Sequence, residues 1–124
     1  MARVLVVDDD EQVRKLLTAE LQENDLEVVT TDGGRKAIEL YKQRQFDVVI
    51  LDIIMPDMEG VEAIRALKKI DPSVKVIAIS GGGKLSGDHY LSMIKTFRPH
   101  YTFPKPVDID EVITAIRRLL PDGT

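Results

Sequence analysis

The sequence predicts an α/β protein: one doubly wound domain in which a five-stranded parallel sheet is sandwiched by five helices. Short apolar runs alternate with longer segments of helical period five times along the chain. This is the pattern of strand–helix units joined by right-handed crossovers. Three of the runs are dominated by Val, Ile and Leu, as expected of parallel strands covered on both faces. A chain of 124 residues has room for one such domain, whose folding buries roughly two thirds of the surface the unfolded chain exposes.

The predicted strands are Val4–Val7, Glu27–Thr30, Val48–Leu51, Val74–Ile79 and Tyr101–Phe103. The second and the last are the more polar and suit the sheet edges. Between strands, apolar stripes mark the helices. Val13, Leu16, Leu17 and Leu21 form the first stripe, and Ala37, Ile38 and Tyr41 the second. Val61, Ile64, Leu67 and the stem of Lys68 form the third, and Leu91, Met93 and Ile94 a weaker fourth. Ile109, Val112, Ile113, Ile116 and Leu120 form a clear fifth. The run Asp8 to Asp10 can cap the first helix, and Pro72 stops the third. One domain is expected over residues 1–124, with 120–124 a fraying tail and no output domain in the chain.

Composition narrows the function classes. With 44% hydrophobic and 31% charged residues, the chain reads as an ordinary soluble globular protein. The absence of cysteine excludes a disulfide framework and a thiolate zinc site. No apolar run approaches the roughly 18 residues of a membrane span. The start MARVLVVDDD turns acidic too early for a signal peptide, so a cytoplasmic location is expected. A net charge of −4 and a pI near 5.2 argue against a nucleic-acid surface. The basic pairs Lys68-Lys69 and Arg117-Arg118 read as solvated helix faces.

In doubly wound folds, ligands bind beyond the carboxyl ends of the strands. Here the first strand ends in Asp8-Asp9-Asp10, the third in Asp52 and the fourth in Ser80-Gly81-Gly82-Gly83, while the fifth runs into Lys105-Pro106. Four polar stations therefore converge on one rim. Carboxylates gathered there repel one another unless they splay into water or a hard cation sits among them. Magnesium suits the second case, because it takes one or two carboxylates with waters and phosphate oxygens. Asp9 and Asp52 supply such a pair, with Asp8 placed to hold a metal-bound water, while Asp10 is better used as the helix cap. Asp52 follows an aliphatic run far from any predicted helix start, so it has no capping duty. A carboxylate can also be a nucleophile toward phosphorus, provided the incoming charge is neutralised from several sides. Lys105 offers a point charge and Ser80 a hydroxyl for that purpose. Lys105-Pro106 is a candidate cis bond.

The segments VLVVDDD, VVILDIIMPDMEG, VIAIS and the closing KP, in that order on successive strand ends, resemble the receiver domain of two-component response regulators over essentially the whole chain. The resemblance implies the strand order 2-1-3-4-5. It also implies that Asp52 accepts a phosphoryl group from a sensor histidine kinase or a phosphotransfer protein, with Mg2+ as cofactor. Asp8 and Asp9 then form the acidic pair, Asp9 as direct ligand, and the backbone carbonyl of Ile54 completes the protein's ligands with Asp52. Ser80 and Lys105 match the hydroxyl and lysine that bind the phosphoryl group. Pro56 and Gly60 match the turn after the phosphorylated strand, where Gly is expected for its backbone freedom. A downstream protein partner is implied. A homodimer through the fourth helix, last strand and fifth helix is a further expectation. Such a domain catalyses only its own phosphorylation and dephosphorylation.

The match departs from the family in places. Ser80 stands where Thr is commoner, and it is expected to act in the switch with position 102, where the family has an aromatic residue and this chain has Thr102. Tyr101 and Phe103 flank it, and strand alternation points both to the opposite face. The stretch Gly81 to Gly87 makes the path from Ser80 to Lys105 a few residues longer than the family usually has. It mimics a P-loop but fails at Ala78 and Leu85, two of the four fixed positions. His89 and His100 lack partners at ligand spacing and read as surface residues, while Met55 and Met58 flank the phosphorylation turn. Two other readings compete. One is an interaction module indifferent to phosphate. The other is an aspartate-nucleophile phosphohydrolase, disfavoured because Ile54 occupies the acid/base position two residues after Asp52.

Overall fold

A computed structural model of the chain describes residues 1–53, 60–80 and 98–121. The strands are β1 (Arg3–Val7), β2 (Glu27–Thr31), β3 (Val48–Asp52), β4 (Val76–Ser80) and β5 (Tyr101–Pro104). They form one parallel sheet in the order β2-β1-β3-β4-β5, so the two more polar strands do lie at its edges. The described helices are α1 (Glu11–Glu23), α2 (Gly34–Gln43), α3 (Gly60–Ile70) and α4 (Ile109–Leu119). Five helices were expected and four stand among the described residues. The predicted helix through Leu91, Met93 and Ile94 lies outside them, as do the stretch Gly81 to Gly87, His89, Met55, Met58 and the tail from Asp122.

The core follows from the alternation of side chains along each strand. Leu5, Val7, Val49, Leu51, Val76 and Ala78 face one way, packed with Ala37 and Tyr41 of α2 and Ile64 and Leu67 of α3. Val4, Val6, Val48, Ile50, Ile77 and Ile79 face the other, packed with Leu17 and Leu21 of α1 and Val112, Ala115 and Ile116 of α4. Every residue of β3 is buried, which explains the unbroken Val-Val-Ile-Leu run in the sequence.

Two details differ from expectation. The fourth strand begins at Val76 rather than Val74. Asp71 accepts the Val74 N–H at 3.0 Å on its carbonyl and the Ser73 N–H at 3.0 Å on its carboxylate, which keeps Val74 in the turn although its side chain is buried. On α1, Leu16 is 48% exposed. Leu17 and Leu21, four residues apart, take the sheet-facing line, and Leu16 sits about 100° around the helix from Leu17. Leu120 belongs with the last stripe, being only 6% exposed.

A polar tie crosses the first layer. The buried Tyr41 of α2 donates its hydroxyl to Asp71 Oδ2, just beyond α3, at 2.6 Å. Burial and the adjacent Asp71 push the phenol far above its usual range, and the same hydrogen bond holds Asp71 below the usual carboxylate range. Tyr41→Phe is expected to cost about 1.5 kcal/mol, as for a hydrogen bond to a charged acceptor. Urea unfolding of the two proteins measures it, and an unchanged midpoint would show the tie to be energetically idle.

Candidate functional site

β1 delivers the chain to Asp8, whose side chain is 1% exposed. Its N–H donates to the carbonyl of Thr31 at 3.1 Å, tying the rim of β1 to that of β2. Its Oδ1 accepts the Asp10 N–H at 2.9 Å. Asp10 is the cap of α1, accepting from the N–H groups of Gln12 at 2.9 Å and Val13 at 3.4 Å. Helix capping therefore occupies Asp10, while Asp9 projects into solvent.

Asp52 ends β3 with 3% exposure. Beside it, the Ile53 N–H donates to the Ile79 carbonyl at 3.0 Å. Lys105 closes the rim from the far edge. Its backbone N–H donates to the Ser80 carbonyl at 3.0 Å. Its ammonium reaches Asp8 Oδ2 at 3.0 Å and Asp52 Oδ2 at 3.2 Å. The Lys105-Pro106 bond is cis, as anticipated. Burial disfavours the charge on Lys105, but the hydrogen bond and fields of Asp8 and Asp52 outweigh it, and its pKa stands above the ordinary lysine value.

Carboxylate oxygens of Asp8, Asp9 and Asp52 lie within 4.8 Å of one another. Among the described residues, three carboxylates gather around one ammonium, an excess of two negative charges over that lysine. Asp8 Oδ2 is enclosed and accepts no hydrogen bond, although the ammonium is close by. Hard oxygen donors and an excess of negative charge at an enclosed carboxylate together fit a divalent cation.

Gly60 lies where α3 returns to β3. Its N–H donates to the Ile53 carbonyl at 2.7 Å. A Cβ there would stand 2.5 Å from Ile53 Cα and 2.7 Å from its carbonyl oxygen. The glycine was anticipated for its backbone freedom, but it does not adopt the left-handed conformation; what requires it is the close approach of two backbones. Gly60→Ala should cost about 3 kcal/mol, since backbone gives way less readily than side chains. A thermal melt with the midpoint unchanged would refute this.

Thr102 pairs with Ala78 across the β4–β5 register and is half-buried. Tyr101 and Phe103 stack with centroids 6.1 Å apart and pack against the α4-side core, on the face opposite Thr102 as alternation requires. Ser80 stands at the end of β4. Ile54 and Pro56 lie outside the described residues. His100 is exposed and remote in role: its Nδ1 accepts the Val76 N–H at 3.2 Å, and partial burial with Lys68 and Lys75 nearby lowers its pKa. Among the described residues no helix is long and apolar enough to cross a membrane.

One contact escaped the sequence reading. Arg14 on α1 donates from Nη1 to the Asp8 carbonyl at 2.8 Å. The available signal was a cation in the first turn of a helix, where the macrodipole disfavours it.

The sequence model of the family described as response regulator receiver domain matches residues 4–117. The chain is 35% identical to the chemotaxis protein CheY of Bacillus subtilis over 121 residues, covering 95% of this chain and 97% of that protein. It is 29% identical to sporulation initiation phosphotransferase F of the same organism, covering 96% and 94%. Among solved structures, response regulator protein TrrA from Thermotoga maritima in complex with Mg2+-BeF is similar at 33% identity and a TM-score of 0.83, covering 97% and 100%. The beryllofluoride-activated NtrC4 receiver domain dimer is similar at 32% identity and a TM-score of 0.86, covering 100% of each chain.

Proposed function

The chain belongs to the response regulator receiver domain family, and from that premise we propose that Asp52 is the residue through which it works as a phosphorylation switch in two-component signalling. The observation that carries this reading is the single ammonium of Lys105 joining Asp8 and Asp52 at 3.0 and 3.2 Å, with Asp9 completing the acidic cluster.

The donor is the phosphohistidine of a sensor histidine kinase or phosphotransfer protein. An Asp52 carboxylate oxygen attacks phosphorus, the new O–P bond forms, and the P–N bond breaks with its electron pair leaving on the imidazole. Lys105 neutralises one phosphoryl oxygen and the Ser80 hydroxyl donates to another. Asp8, Asp9, Asp52 and the carbonyl of Ile54 would hold Mg2+, with Asp9 a direct ligand and Asp8 acting through a bound water. When bound, the ion supplies positive charge to the phosphoryl oxygens. The Mg2+-BeF complex of the Thermotoga relative supports Mg2+ as the ion. By the family resemblance we assign Pro56, Gly60 and Pro106 to the turns around the acceptor. The domain turns over no separate substrate.

Ser80 is the group we assign to sense the phosphoryl, with Thr102 in place of an aromatic partner. Downstream, a protein partner reads the change. The NtrC4 receiver domain is a dimer, which supports self-association, and we assign it to β5, α4 and the residues Leu91 to Ile94. The cytoplasm is the compartment that suits this chemistry. Tyr101 and Phe103, facing away from Thr102, favour a second reading in which the β5–α4 surface binds its partner regardless of phosphate. Mass spectrometry of the protein with acetyl phosphate tests the acceptor. A gain of one phosphoryl group only when Mg2+ is present is expected. No gain under any condition would overturn it in favour of the constitutive module.

A further inference from the structure

We propose that Arg14 is a positioning residue of the cation site: by holding the main-chain carbonyl of Asp8 it sets the orientation of the acidic pair and thereby the affinity for Mg2+. The inference rests on the reading of Asp8, Asp9 and Asp52 as the metal cluster and deepens it.

Asp8 sits at a junction where three of its polar groups are committed. Its N–H goes to Thr31 and its Oδ1 receives the Asp10 N–H. Its carbonyl precedes the helix cap, and the helix ladder opens only with the Arg14 N–H on the Asp10 carbonyl at 3.1 Å. Buried main-chain carbonyls need a donor, and Arg14 Nη1 provides one at 2.8 Å. Arg14 thus bonds to this short connection twice, by its backbone to Asp10 and by its side chain to Asp8. Between those anchors lies Asp9, the exposed ligand with no comparable support of its own among the contacts just described. Rotation of the Asp8–Asp9 peptide would swing both carboxylates, and the guanidinium on the Asp8 oxygen opposes that rotation.

The sign of the effect separates positioning from electrostatics. A cation near the site repels Mg2+, so if Arg14 acted through its charge, removing it would tighten metal binding. If it acts by positioning, removing it weakens binding despite the relief of repulsion. Outer-shell partners of metal ligands typically contribute about 10–100-fold in affinity.

The test is isothermal titration of Mg2+ into the full chain without phosphodonor, for the wild type, Arg14→Ala, Arg14→Gln and Asp9→Asn. Arg14→Ala is expected to bind Mg2+ about tenfold more weakly. Arg14→Gln, which keeps a donor and removes the charge, should restore most of that loss. Melting in EDTA identifies any general loss of fold, which the Gln variant controls. Unchanged or tighter binding in Arg14→Ala, or an equal loss in both Arg14 variants, overturns the proposal. Asp9→Asn reports separately on the site: if it binds Mg2+ as well as the wild type, the metal cluster itself is wrong, whatever Arg14 does.

Discussion

Asp52→Asn is expected to take up no phosphoryl group from acetyl phosphate at any Mg2+ concentration. The amide is nearly isosteric with the carboxylate but carries no nucleophilic oxygen anion. Asp52 is 3% exposed at the end of a fully buried strand, so the replacement amide is held in the same place. The ammonium of Lys105 retains Asp8 as a partner at 3.0 Å, so the variant should remain folded and its silence be chemical. Intact-protein mass spectrometry decides the matter. Stoichiometric label persisting in the variant would move the acceptor elsewhere, and Asp9 would be the next residue to replace.

Lys105→Ala is expected to destabilise the metal-free protein by about 3 kcal/mol at neutral pH, the scale of stranding a buried charge by removing its partner. Asp8 and Asp52, both buried, would then face each other and Asp9 without that ammonium. Added Mg2+ should recover much of the deficit, since it meets the same need for positive charge. Melts in EDTA and in Mg2+ compare the two states, and a deficit identical in both would show that the lysine stabilises by packing alone. The pH dependence has a definite sign. The pKa of Lys105 is raised in the folded state, so its contribution is complete below the ordinary lysine pKa and is lost as pH rises through the folded-state value. The wild-type advantage should therefore fade only in strong alkali.

The ends of parallel strands are where sequence and site coincide most directly. Asp8, Asp9, Asp52, Ser80 and Lys105 could be picked out because each terminates an apolar run, and the topology brings such termini to one rim. The sheet order needed the family resemblance, since hydrophobic pattern identifies strands but not their neighbours. Leu16 was misplaced because adjacent leucines satisfy a coarse helical stripe equally well, and only packing distinguishes the one that faces the sheet. Gly60 was the right residue for a different reason: contact with Ile53 is a tertiary fact with no local signature. The Tyr41–Asp71 and Arg14–Asp8 bonds were similarly hidden. Side-chain hydrogen bonds depend on rotamer and approach, and leave no periodicity behind.

Lys105 follows the border strand of the sheet, yet its ammonium meets residues that continue β1 and end β3, passing over β4 altogether. Electrically, an outermost strand is wired to two inner ones without the strand beside it as intermediate. A strand at the border has one neighbour inside its own molecule and a second side open to others. A charge placed on Asp52, at the middle of the sheet, would therefore act directly on a lysine anchored at its margin.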